Sequence, residues 1–202
     1  RESAAKKDLN YLVYKIHPKE KWMVLAEYFR DAVFFDIETD GYFNRVTAVS
    51  ALHGGTLRSF AKNENLESFA DLLEGAELLV SFNGISFDLP VLARHFHLPR
   101  IPIPHIDLRW VLHQEGIRGG LKKIEEQFGI ERPSDIRGLN GMDAVTLWYR
   151  WNEWKDTEAL HTLKRYCSAD VVSLAILFAR LMEKKNVPFE KLNEKELWDL
   201  LP

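Results

Sequence analysis

The order of the apolar runs limits the fold more than any other feature of the chain. Residues 32–38 (AVFFDIE), 45–53 (RVTAVSALH) and 56–61 (TLRSFA) are rich in β-branched and aromatic residues, and TDGYFN and GG between them are turn chemistry. Together they predict a three-strand meander. The period then changes: in residues 64–74, Leu66, Phe69, Leu72 and Leu73 recur at helical spacing, and 77–83 (ELLVSFN) is an apolar run short enough for a buried strand. Residues 88–96 continue as a helix, 105–108 (HIDL) as a short strand, and helices follow near 121–128, 141–154 and 157–184, punctuated by Gly119, Gly120 and Pro133. With right-handed crossovers, this order predicts an α/β fold. Its mixed five-strand sheet combines an antiparallel meander with two parallel strands, and helices cover both faces.

Composition bounds what such a sheet serves. The 202 residues are 46% hydrophobic and 28% charged, enough for one sizeable core. We expect a core domain over 31–185, with an N-terminal extension (1–30) packed on it and a C-terminal extension (186–202). The apolar pattern ELWDLLP, with Leu197, Trp198, Leu200 and Leu201, reads as a candidate subunit contact, and the tryptophan-rich stretch holding Trp148, Trp151 and Trp154 reads as core packing or a subunit interface ahead of base stacking. No run approaches the roughly 18–20 apolar residues that cross a bilayer, and the first residues lack the apolar centre of a secretion signal. A single cysteine, Cys167, fits a reducing compartment. The expectation is a cytoplasmic protein without membrane contact.

A net charge of −3 and a pI of about 6.2 exclude a globally basic polyanion binder, so any such contact is local. Residues 94–123 carry six Lys or Arg (Arg94, Arg100, Arg109, Arg118, Lys122, Lys123) against Asp107 and Glu115, a local +4. A solvated helical face gives the same pattern. His95, His97, His105 and His113 lie in this stretch without metal-ligand spacing.

Residues 35–41, FDIETDG, place Asp36, Glu38 and Asp40 at alternate positions before Gly41. A helix-loop-helix calcium site needs a glutamate at the twelfth position, where Thr47 stands, and flanking helices, where both flanks are β-like. On a strand, Asp36 and Glu38 share a face. Two carboxylates side by side at the end of a buried strand are costly unless a cation lies between them. Asp88 opens a helix just past the fourth strand, where capping alone accounts for it. In the long apolar helix, Tyr166 and Asp170 share a face, and an aspartate among Val171, Leu174 and Leu177 is expensive to bury without a partner. Asp107 reads as the cap of the helix that follows it.

The segments FDIET, NGISFD and YCSAD, in this order and approximate spacing, resemble the three motifs of the DEDD superfamily of exonucleases, which has a ribonuclease H-like fold. The resemblance covers roughly residues 32–182, and GLKKIEEQFGI through LWYRW is similar to a subfamily of predicted ribonuclease-H-like exonucleases. Tyr166 stands four residues before the last aspartate and Arg165 five before it, which matches the tyrosine version. The resemblance implies catalytic and metal roles for Asp36, Glu38, Asp88 and Asp170, and two divalent ions, Mg2+ or Mn2+. Asp36 would bridge both, Glu38 and Asp170 would complete the site that activates the attacking water, and Asp88 would hold the second ion. Tyr166 would orient the water. Thr39, Asp40 and Gly41 would meet the terminal nucleotide, and Asn83 and Phe87 would support the second motif or the end base. Apart from the resemblance, Arg118, Lys122 and Lys123 flank a Gly-Gly turn and read as candidates for phosphate contacts, or equally as a surface loop before an amphipathic helix.

The implied activity is 3′-to-5′ cleavage of single strands. DNA is favoured over RNA by similarity to archaeal exonuclease-I-like proteins, which also point to a homotrimer. The alternatives are an RNA-trimming enzyme resembling ribonuclease D, a catalytically silent nucleic-acid clamp and, more distantly, a calcium-binding module.

Overall fold

Gly54 and Gly55 both take positive φ, 55° and 76°, the sense of turn that matches strand twist, and they close a tight hairpin between β2 (Val46–His53) and β3 (Thr56–Ala61). The computed structural model describes the backbone of residues 2–202 and the side chains of residues 9–202. β1 (Ala32–Thr39) pairs antiparallel with β2 and parallel with β4 (Leu78–Ser81), which pairs parallel with β5 (His105–Asp107). The sheet order is β3-β2-β1-β4-β5, the expected mixed five-strand sheet with its meander and two parallel strands.

The two-residue period of β1 divides the core. Val33, Phe35 and Ile37 join Val49, Ala51, Phe60 and Leu79 on one face, under α3 (Phe69–Gly75) and α4 (Asp88–His95). Ala32 and Phe34 join Leu78 and Val80 on the other, under α8 (Thr157–Lys184). By the same alternation Asp36 and Glu38 continue the α8 face.

α8 has 28 residues, a rod of about 42 Å. Its first turn is capped by Asp156, whose carboxylate accepts from the Ala159 amide at 3.0 Å. α7 (Gly141–Trp154) starts with a capping box made by Asn140 and Asp143. α5 (Leu108–Gln114) and α6 (Leu121–Phe128) complete the α8 side. The N-terminal helices α1 (Glu2–Lys15) and α2 (Lys21–Glu27) add Leu9, Val13, Val24 and Leu25 to that same core.

Two expectations are corrected. The fourth strand ends at Ser81 instead of residue 83, because Asn83 turns the chain at φ 68°. Residues 66–68 form a 3-10 turn ahead of α3 instead of its first turn. The C-terminal apolar pattern, including α9 (Glu194–Trp198), packs in part on its own chain: Leu201 is buried in the α8-side core and Leu197 and Trp198 pack against it, whereas Leu200 is 38% exposed. Of the tryptophans, Trp148 is buried between α7, α8 and β2, whereas Trp154 is exposed.

Candidate functional site

β1 brings the first two acids to the site, and the turn after β4 frames it. Asn83 adopts the left-handed region, and Gly84 follows it against the sheet, where an added Cβ would fall 1.9 Å from Ser81 Oγ. That contact admits glycine alone. Asp107 holds the turn from below. Its carboxylate accepts from the amides of Asn83 at 2.8 Å, Ile85 at 3.2 Å and Arg109 at 3.1 Å, the last as the expected cap of α5. Arg109 then donates to Asn83 Oδ1 at 2.5 Å. Beneath, His105 bonds Ser81 Oγ at 2.9 Å, and burial pushes its pKa down to about 3, so it is a neutral part of the core.

Asp36, Glu38 and Asp170 converge from β1 and α8, with one carboxylate oxygen of each within 4.8 Å of the others. Asp36 and Glu38 are half-buried and Asp170 is buried, with Asp36 and Asp170 lining a cleft. Burial is the first cause that raises the Asp36 and Glu38 carboxyls well above the ordinary range, and the charges of Asp170 and Asp88 follow. The contact to the Asp36 carboxylate is weak: the Cys167 thiol donates toward its main-chain oxygen at 3.4 Å and toward Oδ2 at 3.6 Å. Asp88 lies outside this trio but close enough to raise both strand acids. It is buried, and its own pKa is pushed to about 7, with its own amide and that of Ile37 opposing the shift. Asp88 is the first residue of α4, and its side chain makes no cap there.

The partner of Asp170 is Arg132, from the loop after α6. Its guanidinium is 5% exposed and donates to Asp170 Oδ1 while engaging Glu125 of α6 through Nε at 2.9 Å and Nη2 at 2.6 Å. Arg132 opposes the rise that burial imposes on Asp170. Nη1 is buried without a hydrogen-bond partner. Neither Glu125 nor Arg132 is marked by periodicity or motif. The one signal pointing to them was the cost of burying Asp170 alone.

Tyr166 lies one turn before Asp170 with its ring buried. Lys122 donates to its hydroxyl at 3.2 Å and to the Leu139 carbonyl, and its ammonium lies 4.9 Å from the ring centre. Burial first, then the Asp170 charge, pushes the phenol far above its ordinary value. Tyr166 therefore stays protonated, and with Lys122 filling an acceptor position its own O–H is free to donate.

The cleft over the acids, about 480 Å³, is lined by Asp36, Asn83, Lys122, Lys123, Tyr166 and Asp170 together with Arg109, which sequence reasoning had left in a general basic cluster. Lys123 is exposed there, whereas Lys122 is committed to Tyr166 and Leu139. Arg118 does not line this cleft; it is exposed, and its carbonyl accepts from Gln127. Phe87 is partly exposed beside Asp88. Thr39 and Asp40 are buried, and Asp40 Oδ1 accepts from the amides of Phe43 at 3.0 Å and Arg45 at 3.2 Å, which fixes the turn at Gly41 (φ 72°).

The donor set is oxygen only, and its charges repel one another in a desolvated place. That is the chemistry a hard divalent cation satisfies, and the residues fit such an ion. Lys122 and Arg132 offset only part of the charge on Asp36, Glu38, Asp88, Asp170 and Glu125.

No curated protein sequence matches this chain. Among solved structures, the family B DNA polymerase from the hyperthermophilic archaeon Pyrobaculum calidifontis is similar in fold, with a TM-score of 0.57 and 19% identity over 75% of this chain. The match spans 24% of the length of that polymerase. The family model RNase_H_2, of the RNase H superfamily, matches residues 33–182, from the first residues of β1 to the last turns of α8. That span takes in the whole sheet and all four acids, and the chain belongs to the RNase H superfamily.

Proposed function

We propose that the protein is a metal-dependent 3′-to-5′ exonuclease of the tyrosine type that hydrolyses single-stranded DNA, with residues 31–185 as the working domain. The observation that carries this reading is the convergence of Asp36, Glu38 and Asp170 from elements far apart in sequence, with Asp88 buried beside them and too few donors to neutralise them. Two divalent ions, Mg2+ or Mn2+, supply charge neutralisation at phosphorus and activation of water when bound.

The chain's own residues do the rest. Asp36, Glu38, Asp88 and Asp170 are the residues that would hold these ions. Tyr166 keeps its proton and donates a hydrogen bond to the attacking water, which it orients without deprotonating. Lys122 fixes the phenol for that task. Arg109 and Lys123 face the cleft as cations for the phosphates of the bound strand. Asn83 and Phe87 flank the end base, and the turn from Thr39 to Gly41 meets the terminal nucleotide.

The test uses single strands labelled at the 5′ end, DNA and RNA in parallel, with Mg2+, Mn2+, Ca2+ or chelator. A ladder shortening from the 3′ end with Mg2+ or Mn2+ alone is expected, faster on DNA, and Tyr166→Phe slows it about tenfold or more. Binding without cleavage in every metal overturns the enzyme reading, and faster loss of RNA overturns the choice of DNA.

A further inference from the structure

On the opposite face of the sheet from the acids, a second cleft of about 590 Å³ opens between the β1–β2 turn and the C-terminal end of α4. Arg45, Lys62 and Arg94 bring three permanent positive charges to it, with His95 and His97 beside them and Glu67 as the acid in its wall. In a chain of net charge −3 this is a local reversal of sign. Its cations have few acidic partners, although the Lys62 ammonium lies 5.9 Å from the Trp148 ring centre. Among the described residues, Arg94 and Lys62 make no ion pair, and Arg45 reaches Asp40 at 3.8 Å while 61% of its side chain remains exposed. Glu67 stands 3.6 Å from His95.

The rim is aromatic. Phe43, in the lining, is 67% exposed with the Arg45 guanidinium 4.5 Å from its ring centre; Tyr42 beside it in the turn is 77% exposed and meets Tyr149 of α7, ring centres 6.1 Å apart. Exposed aromatic rings cost solvation free energy unless something covers them. These two are presented on a stiff turn, held by the Asp40 carboxylate and by the bond from the Asp40 amide to the Arg45 carbonyl at 3.0 Å. Cations interleaved with presented aromatic faces suit a single-stranded polynucleotide: the phosphates meet the charges and the bases stack. A folded acidic protein would use the charges and leave the rings unmatched.

Both borders of the cleft lead to the acids. The turn leaves β1 directly after Glu38 and Thr39, and α4 runs from Asp88 at the acids to Arg94 in the cleft. The six steps from Asp88 to Arg94 span about 9 Å of helix axis. That is roughly three stacked nucleotides at 3.4 Å each.

We propose that this cleft is a second binding site for the strand, engaging nucleotides from about the fourth onward, counted from the end held at Asp36. The inference rests on the proposed function for its direction, but binding there can be measured without cleavage.

Fluorescence anisotropy in chelator, with a labelled twelve-nucleotide single strand of DNA, compares the wild type with Lys62→Glu/Arg94→Glu, with Phe43→Ala and with Lys191→Glu as an exposed charge control. The double variant should weaken binding at least tenfold and lower the slope of log affinity against log salt by about 1.4, at ~0.7 per phosphate contact on a single strand. Phe43→Ala should weaken binding severalfold with the slope unchanged, and Lys191→Glu should leave both near wild type. With Mg2+, turnover of a dinucleotide should be unchanged in the double variant, while that of the twelve-nucleotide strand falls through KM. Equal affinity and slope in wild type and double variant overturn the cleft, even if the strand is cleaved. Loss of binding in the double variant of a protein that cleaves nothing upholds the cleft and overturns the nuclease reading.

Discussion

Asp107 and Asp170 are both buried aspartates within the site region, and they are satisfied in opposite ways. Asp107 has three backbone amides aimed at it, from Asn83, Ile85 and Arg109. Burial raises its carboxyl, and those amides oppose the rise. Among the described residues, no backbone amide donates to the Asp170 carboxylate. It leans on the Arg132 guanidinium and faces Asp36 and Glu38. The first arrangement is complete without any ligand and holds a turn in place. The second leaves the neighbouring carboxylates short of positive charge, so it gains from a cation. A buried acid is therefore diagnosed by what donates to it, not by its burial.

The sharpest break in this comparison is Arg132→Met. It leaves Asp170 and Glu125 as buried carboxylates without their shared partner, and losing one side of a buried pair costs about 3–5 kcal/mol. Urea unfolding in chelator measures it. Adding Glu125→Gln to Arg132→Met should recover part of the loss, since one of the two stranded charges is gone. A loss below about 1 kcal/mol would mean that Asp170 does not depend on Arg132.

The pH response separates the two environments next. Asp36, Glu38 and Asp88 all bind protons more tightly in the fold than in the unfolded chain, Asp88 to about 7. Between the ordinary carboxylate range and about pH 7 the folded state therefore holds more protons, and the metal-free protein loses stability as pH rises through that window. Asp88 alone accounts for a difference on the order of 4 kcal/mol. Melting in chelator at pH 5 and pH 8 should show the lower midpoint at pH 8, and Mn2+ at pH 8 should restore it. A flat profile would mean that these acids are neutralised from within the chain.

What could be read beforehand follows from how local each signal was. The sheet order was legible because strand and helix periods alternate along the chain, and Asp36 and Glu38 were legible because a strand repeats every two residues. Asp170 stood out as an acid on an apolar face. Arg132 did not, because it lies in an irregular loop, 38 residues from Asp170, and no period dictates that a loop side chain turns inward. The cap formed by Asp107 was legible from the helix that follows it. Its hold on the Asn83 turn, 24 residues away, was a matter of tertiary contact. The docking of Leu201 into the α8-side core was illegible for the same reason: a short apolar segment covers its own core or another chain equally well until the fold is known.

The smallest effects test the comparison most directly, because they carry opposite signs. Asp107→Ala removes an acceptor and strands the amides of Asn83, Ile85 and Arg109. Where one of these finds no water, the cost is about 1–3 kcal/mol. Asp36→Asn removes a charge from a place where three other carboxylates repel it, and its amide can donate to one of them. In chelator it should therefore raise the unfolding free energy by about 1–2 kcal/mol, while Mn2+ no longer shifts the midpoint and cleavage is lost. Asp107→Ala should keep the Mn2+ shift, because its carboxylate is already occupied by amides and offers the ion nothing. If both substitutions destabilised the metal-free protein alike, Asp36 would have to be satisfied from within the fold as Asp107 is. The acids of β1 would then carry a structural role and no unmet demand for a cation.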